Sequence, residues 1–213
     1  MTAQRRTPAE AWREMLDGNE RFMAGVPQHP RQDVERLREL AHRQAPHAAL
    51  FGCSDSRLAA EIIFDQGLGD LFVVRNAGQV VSDSVVGSLE YAVAVLAVPL
   101  IVVLGHDECG AVLAAIHAEG VDATPLPPHI MSLIAQITPA VRRVSGSTDG
   151  QIDPSTIDSR AVGREHLRDT ISGVIETSEL ISEAIAAGTL AVVGANYRLL
   201  EGRAVPDVIV GSA

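Results

Sequence analysis

Cysteine is scarce in this chain of 213 residues, which contains only Cys53 and Cys109. We do not expect a disulfide between them, because no secretion signal is evident and the chain is predicted to be cytoplasmic, in a reducing compartment. A dithiol redox protein is also disfavoured, since the chain lacks a Cys-x-x-Cys pair. The two thiols are therefore available for another chemistry.

Clusters of positive charge and long apolar runs are missing as well. The 17 Lys and Arg residues are outnumbered by 27 Asp and Glu, the net charge is -10, and no basic run exceeds two residues. We therefore expect neither nucleic acid nor a membrane surface as a partner, because both attract basic patches. The longest apolar run, residues 91–104, is too short to cross a bilayer and is broken by Pro99.

Short apolar segments alternate with amphipathic ones along most of the chain. This alternation predicts an α/β fold with a mostly parallel central sheet in the order 2-1-3-4-5, flanked by helices, whose last strand is antiparallel. We expect one domain over residues 1–213, with an N-terminal helical arm at 1–45 and an α/β core at 46–213. The predicted strands are residues 48–53, 71–74, 100–104, 190–194 and 204–210. The predicted helices are residues 33–43, 59–65, 83–98, 111–118, about 130–144 and 162–188, with a mobile loop at 145–150.

The first predicted helix begins at a capping box. Thr7 and Glu10 flank Pro8 at the start of this helix, and apolar residues such as Trp12 and Phe22 follow at helical spacing. No strand lies nearby in the sequence for this apolar stripe to cover. We therefore expect the stripe to pack on another subunit.

Two predicted strands end in residues that bind metals. Cys53 lies at the carboxyl end of the first strand, and His106 and Cys109 lie just past the end of the third. In the order 2-1-3-4-5 these strands are neighbours, and ligands bind in the crevice outside such strand ends. Two thiolates and one imidazole are a donor set that zinc prefers, which predicts a zinc site. The alternative for Cys53 is a small buried core residue, and that for His106 is a capping or hydrogen-bonded loop histidine.

A carboxylate and a guanidinium follow the first of these ligands. Asp55 is a candidate fourth ligand, and Arg57 can hold that carboxylate bidentately away from the metal. The alternative is an ion pair with a structural role only. A helix is predicted to start just after Cys109, and its dipole favours the thiolate form of that residue.

The Cys-x-Asp-x-Arg and His-x-x-Cys motifs resemble those of the β-class carbonic anhydrases, of the bacterial type. Segments at residues 44–46, 69–78, 88–93 and 194–202 are also similar to the family, so that the resemblance extends over about residues 40–210. It implies a zinc enzyme that reversibly hydrates carbon dioxide to bicarbonate and a proton, by attack of a zinc-bound hydroxide. One zinc ion per chain is then held by Cys53, His106 and Cys109, with Asp55 as fourth ligand in a closed state.

The resemblance also implies residues around the substrate and an assembly. Family members are homodimers or homotetramers with sites at the subunit interface, where Gln44 reaches over from the neighbouring subunit and donates a hydrogen bond to the substrate. The family positions that form the substrate pocket are Phe72, Ala77, Tyr91 and Gly110. On periodicity alone, Phe72, Ala77 and Tyr91 could equally be core residues, and Gln44 a solvated one.

Two alternatives stay open at the level of sequence. Relatives of the family hydrolyse carbonyl sulfide or carbon disulfide with a very similar zinc site. A non-catalytic zinc protein or bicarbonate sensor is the second, although a structural site has no use for Asp55, Arg57 and Gln44. Regulation by bicarbonate is in doubt, since Leu50 stands where the regulated enzymes carry Trp, although Tyr197 is retained.

Overall fold

The computed structural model describes residues 6–147 and 152–213, and the part of the predicted mobile loop at 148–150 lies outside them. Five strands form one sheet in the order β2-β1-β3-β4-β5, which confirms the predicted topology. The strands pair in parallel except β4 with β5, which are antiparallel. Their bounds are β1 Ala48–Cys53, β2 Leu71–Asn76, β3 Leu100–His106, β4 Ala191–Arg198 and β5 Arg203–Val210.

Helices cover both faces of this sheet. Their bounds are α1 Pro8–Met23, α2 Val34–Leu40, α3 Ala60–Ile63, α4 Asp83–Ala94, α5 Gly110–Ala118, α6 Pro128–Ile134, α7 Thr138–Ser145, α8 Ser159–Thr177 and α9 Glu179–Ala186. Helices α1, α3 and α5 to α7 contribute side chains to one apolar cluster, α4 and α9 contribute to another, and α8 contributes to both. Leu50 belongs to the first cluster and Phe51 to the second, because successive side chains of a strand point to opposite faces.

Helix α1 begins at the predicted capping box but does not leave its apolar stripe open. Trp12 and Met15 are buried against the chain's own core, so the expectation that this stripe packs on another subunit was wrong. The side chain of Asn19 donates to the carbonyls of Ile63 and Gly202 at 2.9 and 2.8 Å. These contacts come from residues far along the chain, which local sequence patterns do not reveal.

Three predicted helices have different ends from those expected. The helix predicted over 83–98 ends at Ala94, because Ala97 adopts a left-handed φ of 57° and turns the chain before Pro99 is reached. The helix predicted over 162–188 is two helices, since Ser178 is extended and caps α9 by accepting from the N–H of Ile181. The helix predicted near 130–144 is likewise divided into α6 and α7, with Pro139 in the first turn of α7.

Candidate metal centre

The carboxyl ends of β1 and β3 bring the three predicted metal ligands together. These strands pair in parallel from Ala49 with Ile101 to Gly52 with Leu104, so that their ends are adjacent. The ligand atoms of Cys53, His106 and Cys109 lie within 4.8 Å of one another, and all three residues are buried. His106 is the last residue of β3, two positions beyond the predicted end of that strand.

The imidazole of His106 is oriented for binding through one ring nitrogen. Its Nδ1 lies 2.8 Å from the carbonyl oxygen of Asp107, which can only accept, so Nδ1 carries the proton. Its Nε2 is buried and has no hydrogen-bond partner among the described residues. A buried polar atom without a partner is costly, and a metal ion satisfies it.

The two thiols also fit a divalent cation. The hydrogen bond from Cys109, together with the N–H of Gly78 at 3.3 Å from Sγ, lowers the pKa of Cys53 to about 4 despite its burial. The pKa of Cys109 is raised because the two sulfurs share its proton. A soft cation with a preference for thiolate displaces this proton, so the residues present fit zinc.

Asp55 is held by Arg57 beside this cluster. The Arg57 side chain donates from Nε to Oδ1 at 2.9 Å and from Nη2 to Oδ2 at 2.6 Å, and its backbone N–H donates to Oδ1 at 2.9 Å. These side-chain hydrogen bonds hold the pKa of the Asp55 carboxyl well below its usual range. Arg57 Nη2 also reaches the carbonyl of Glu108 at 3.3 Å, so that this guanidinium joins the loops after β1 and β3.

Arg75 is a site residue to which the sequence analysis assigned no role. It lies on β2, and its guanidinium donates to the carbonyls of Cys53 at 2.9 Å and Asp55 at 2.6 Å. The loop that carries a metal ligand and the paired carboxylate is therefore fixed from the neighbouring strand. An arginine near the end of a buried strand is a weak signal, and its partners become evident only when the strands are paired.

The predicted pocket residues divide into two groups. Ala77 and Gly110 are exposed and adjoin Gly78 and Cys109, at the metal cluster. Phe72 pairs with Ala49, four residues before the end of β1, which is roughly 13 Å along the strand from Cys53.

The Phe72 ring lies 6.1 Å from that of Tyr91, which is 45% exposed on α4. Gln44 is exposed in the loop before β1 and makes no hydrogen bond to the described residues. Within one chain, the structure does not bring Phe72, Tyr91 and Gln44 to the metal cluster. The prediction that they line a substrate pocket holds only if a second chain is involved.

Known proteins are similar to this chain in sequence and in fold. A family model described as carbonic anhydrase matches residues 48–204. Carbonic anhydrase 2 of Mycobacterium tuberculosis is 50% identical over 198 residues, which are 93% of this chain and 92% of that protein. The carbonic anhydrase of Mycolicibacterium smegmatis is 47% identical over 197 residues, which are 92% of this chain and 91% of that protein. The chain belongs to the carbonic anhydrase family.

Solved structures give the class of this carbonic anhydrase. A β-carbonic anhydrase of Sordaria macrospora, one of two described as tetrameric, is similar with a TM-score of 0.68 and 26% identity, over 92% of this chain and 95% of that one. The Coccomyxa β-carbonic anhydrase has a TM-score of 0.69 and 25% identity, over 92% and 86% of the two chains. The predicted β-class family and its activity, the hydration of carbon dioxide, are thus confirmed.

One further prediction concerned membranes. Within the described ranges, none of the helices of this carbonic anhydrase has both the length and the apolar character needed to span a bilayer. The cytoplasmic location stays a prediction, as do the single domain over residues 1–213 and its division at residue 45.

Proposed function

We propose that Cys53, His106 and Cys109 hold one zinc ion and that Asp55 and Arg57 orient the attacking oxygen for the hydration of carbon dioxide. The observation that carries this assignment is the buried cluster of two sulfurs and an unpartnered imidazole Nε2 beside an arginine-held carboxylate. When bound, zinc supplies hydroxide near neutral pH by lowering the pKa of water. The other parts of the mechanism are carried by the side chains.

Asp55 can act on the attacking oxygen because its protonation state is fixed. Arg57 keeps its carboxylate ionised, so one carboxylate oxygen can accept a hydrogen from the nucleophile and direct a lone pair at carbon. Arg57 also keeps the carboxylate turned away from the metal ligands. Without Arg57, Asp55 would be free to become the fourth ligand of zinc in place of water. The Asp55–Arg57 ion pair therefore controls whether water can reach the metal.

We propose that a second copy of the chain supplies Gln44, Phe72 and Tyr91, which do not reach the metal cluster of their own chain. Strand β2 is an edge of the sheet, its residues from Leu71 to Val74 are only partly buried, and both Tyr91 and Val95 are exposed beside it. An open edge with apolar neighbours favours association. The tetrameric state of the Sordaria enzymes supports the same reading, with Gln44, Phe72 and Tyr91 entering the partner's site.

The preferred substrate distinguishes a carbonic anhydrase from the alternative enzyme, a hydrolase of carbonyl sulfide or carbon disulfide. We expect stopped-flow assays of the zinc-loaded protein to show rapid hydration of carbon dioxide and little or no turnover of carbonyl sulfide and carbon disulfide. The named relatives at 50% and 47% identity are carbonic anhydrases. Turnover of a sulfur substrate at a higher kcat/KM than that of carbon dioxide would contradict the assignment.

Sharing of sites between chains can be tested with tagged heterodimers. Gln44→Ala chains carry an intact metal cluster, and Cys53→Ser chains carry an intact Gln44. If Gln44 acts across the interface, a heterodimer of these two chains has one complete site and about half of the wild-type activity. Homodimers of either variant should be at least about tenfold less active, since a donor to the developing charge or the metal is missing.

The matched control places both substitutions on one chain. A heterodimer of the Gln44→Ala, Cys53→Ser double variant with a wild-type chain has no complete site if Gln44 acts across the interface. The same heterodimer has one complete site if Gln44 acts within its own chain. Activity in this control and not in the first heterodimer contradicts the shared site, as does a fully active monomer.

A further inference from the structure

His166 is a buried histidine that the mechanism does not use. It lies on α8, is 2% exposed, and has its Nε2 at 2.7 Å from the carbonyl oxygen of Gly78. The carbonyl only accepts, so Nε2 carries the proton and donates it. The N–H of the same Gly78 donates to the sulfur of Cys53. Gly78 therefore connects the imidazole on α8 to a ligand of the proposed metal.

The segment around Gly78 has a backbone that must be held in place. Gly78 and Gln79 both adopt left-handed conformations, with φ of 79° and 41°. Thr170, one helical turn after His166, has its hydroxyl 2.9 Å from the carbonyl of His166 and 3.3 Å from that of Gln79, so that its proton is shared between them. The amide of Asn76 donates to the carbonyl of Val80 at 2.7 Å. Side chains thus bind three successive carbonyls, which maintains a conformation that non-glycine residues adopt at a cost.

Close packing adds to this constraint. A Cβ atom built on Gly78 would lie 2.8 Å from the Cβ of Ala111, in the first turn of α5, which starts next to Cys109. Gly78 consequently has little room on the α5 side. The backbone of Gly78 is therefore restricted by α5 on one side and by the His166 hydrogen bond to its carbonyl on the other.

We propose that His166 is a positioning residue for the metal centre: by holding the Gly78 carbonyl it restricts φ and ψ of Gly78, and so keeps the Gly78 N–H, which belongs to the preceding peptide unit, on the Cys53 sulfur. A hydrogen bond to a ligating thiolate lowers the charge that the sulfur donates and fixes its orientation, and such outer contacts tune metal affinity. The inference rests on the proposed zinc site. It extends that site to a residue more than a hundred positions from Cys53 in sequence.

The chemistry of His166 agrees with this role. Burial lowers its pKa, so the ring is neutral and keeps a single proton, the one on Nε2. Its Nδ1 is buried and has no hydrogen-bond partner among the described residues. An unpaired buried acceptor is destabilising, and an apolar ring of similar size avoids that cost. Among the described residues, the hydrogen bond to the Gly78 carbonyl is the only one that the imidazole makes.

The test compares His166→Phe with His166→Gln. Phe keeps an aromatic ring but has no donor, whereas Gln can place an amide N–H near the position of Nε2. We expect His166→Phe to bind zinc about 10–100-fold more weakly in chelator competition. In the cobalt-substituted protein, its thiolate-to-cobalt charge-transfer band should move to longer wavelength, because the sulfur has lost a donor. His166→Gln should return both measurements close to those of the wild type.

Thr170→Val is the matched control, because it removes a contact to the same segment but not to Gly78. It should lower the melting temperature without moving the charge-transfer band. If His166→Phe behaves in the same way, with unchanged zinc affinity and band, His166 is structural only and the inference is overturned. If His166→Phe does not fold, His166→Asn replaces it, since its shorter amide does not reach Gly78, and the same results are expected. A wild-type protein that binds neither metal overturns the proposed zinc site instead.

Discussion

Arg57→Ala is expected to abolish carbon dioxide hydration while the protein keeps its zinc. The substitution removes both side-chain hydrogen bonds to the Asp55 carboxylate, those from Nε and Nη2, and leaves the donor from the backbone N–H of residue 57. The pKa of Asp55 then returns toward about 3.9, so the carboxylate stays ionised at neutral pH and is free to turn to the metal. We expect at least a hundredfold loss of kcat/KM by stopped-flow hydration, at every accessible pH.

Arg38→Ala provides the control for a lost surface charge. Arg38 pairs with Glu35 on the exposed surface of α2 and makes no contact with Asp55 or Arg57 among the described hydrogen bonds and ion pairs, so its removal should leave the hydration rate unchanged. Asp55→Ala should also retain zinc but lose activity, because no carboxylate then orients the nucleophile. Wild-type rates for Arg57→Ala at about pH 8 and above, where hydroxide is abundant, would show that Asp55 is not a gate.

Cys53→Ser, His106→Ala and Cys109→Ser are expected to lose both zinc and activity. Each substitution leaves two of the three protein donors, and a serine hydroxyl is a poor replacement for a thiolate because it is harder and stays protonated. We expect the zinc content of the purified variants to fall from about one per chain toward zero, with hydration at the background rate. Elemental analysis and the hydration assay measure the two effects independently.

His117→Ala is the control for this series. His117 is exposed on α5, the helix that begins after Cys109, and it is not part of the ligand cluster. This variant should retain zinc and activity, which separates loss of a ligand from general damage to α5. Full zinc retention in all three ligand variants would contradict the assignment of Cys53, His106 and Cys109 as zinc ligands.

The sheet order could be predicted because each strand carries its own signal. Continuous apolar runs such as residues 100–104 mark buried parallel strands, and the alternation with helices restricts the topology. The ends of α4 and α8, which are caused by Ala97 and Ser178, could not be predicted in the same way. They depend on a left-handed residue and on a cap that also binds Glu90, 88 positions away.

The metal cluster was predictable for a similar reason, because both motifs are short and each follows a strand. Arg75 and His166 were not assigned, since each acts on a backbone carbonyl of a distant segment, and carbonyls have no sequence signature. The apolar stripe of α1 was misjudged because Trp12 packs on elements that follow much later in the chain. The roles of these residues depend on contacts between segments that are distant in sequence, which local sequence patterns do not show.

X-ray absorption at the zinc edge tests the central claim most directly, because it counts the donor atoms around the metal in solution. The account predicts two sulfur neighbours at about 2.3 Å and two lighter neighbours at about 2.0–2.1 Å in the active protein. One of the lighter neighbours is the imidazole of His106. An active enzyme whose zinc has fewer than two sulfur neighbours, or that contains no zinc, would contradict the assignment of Cys53 and Cys109.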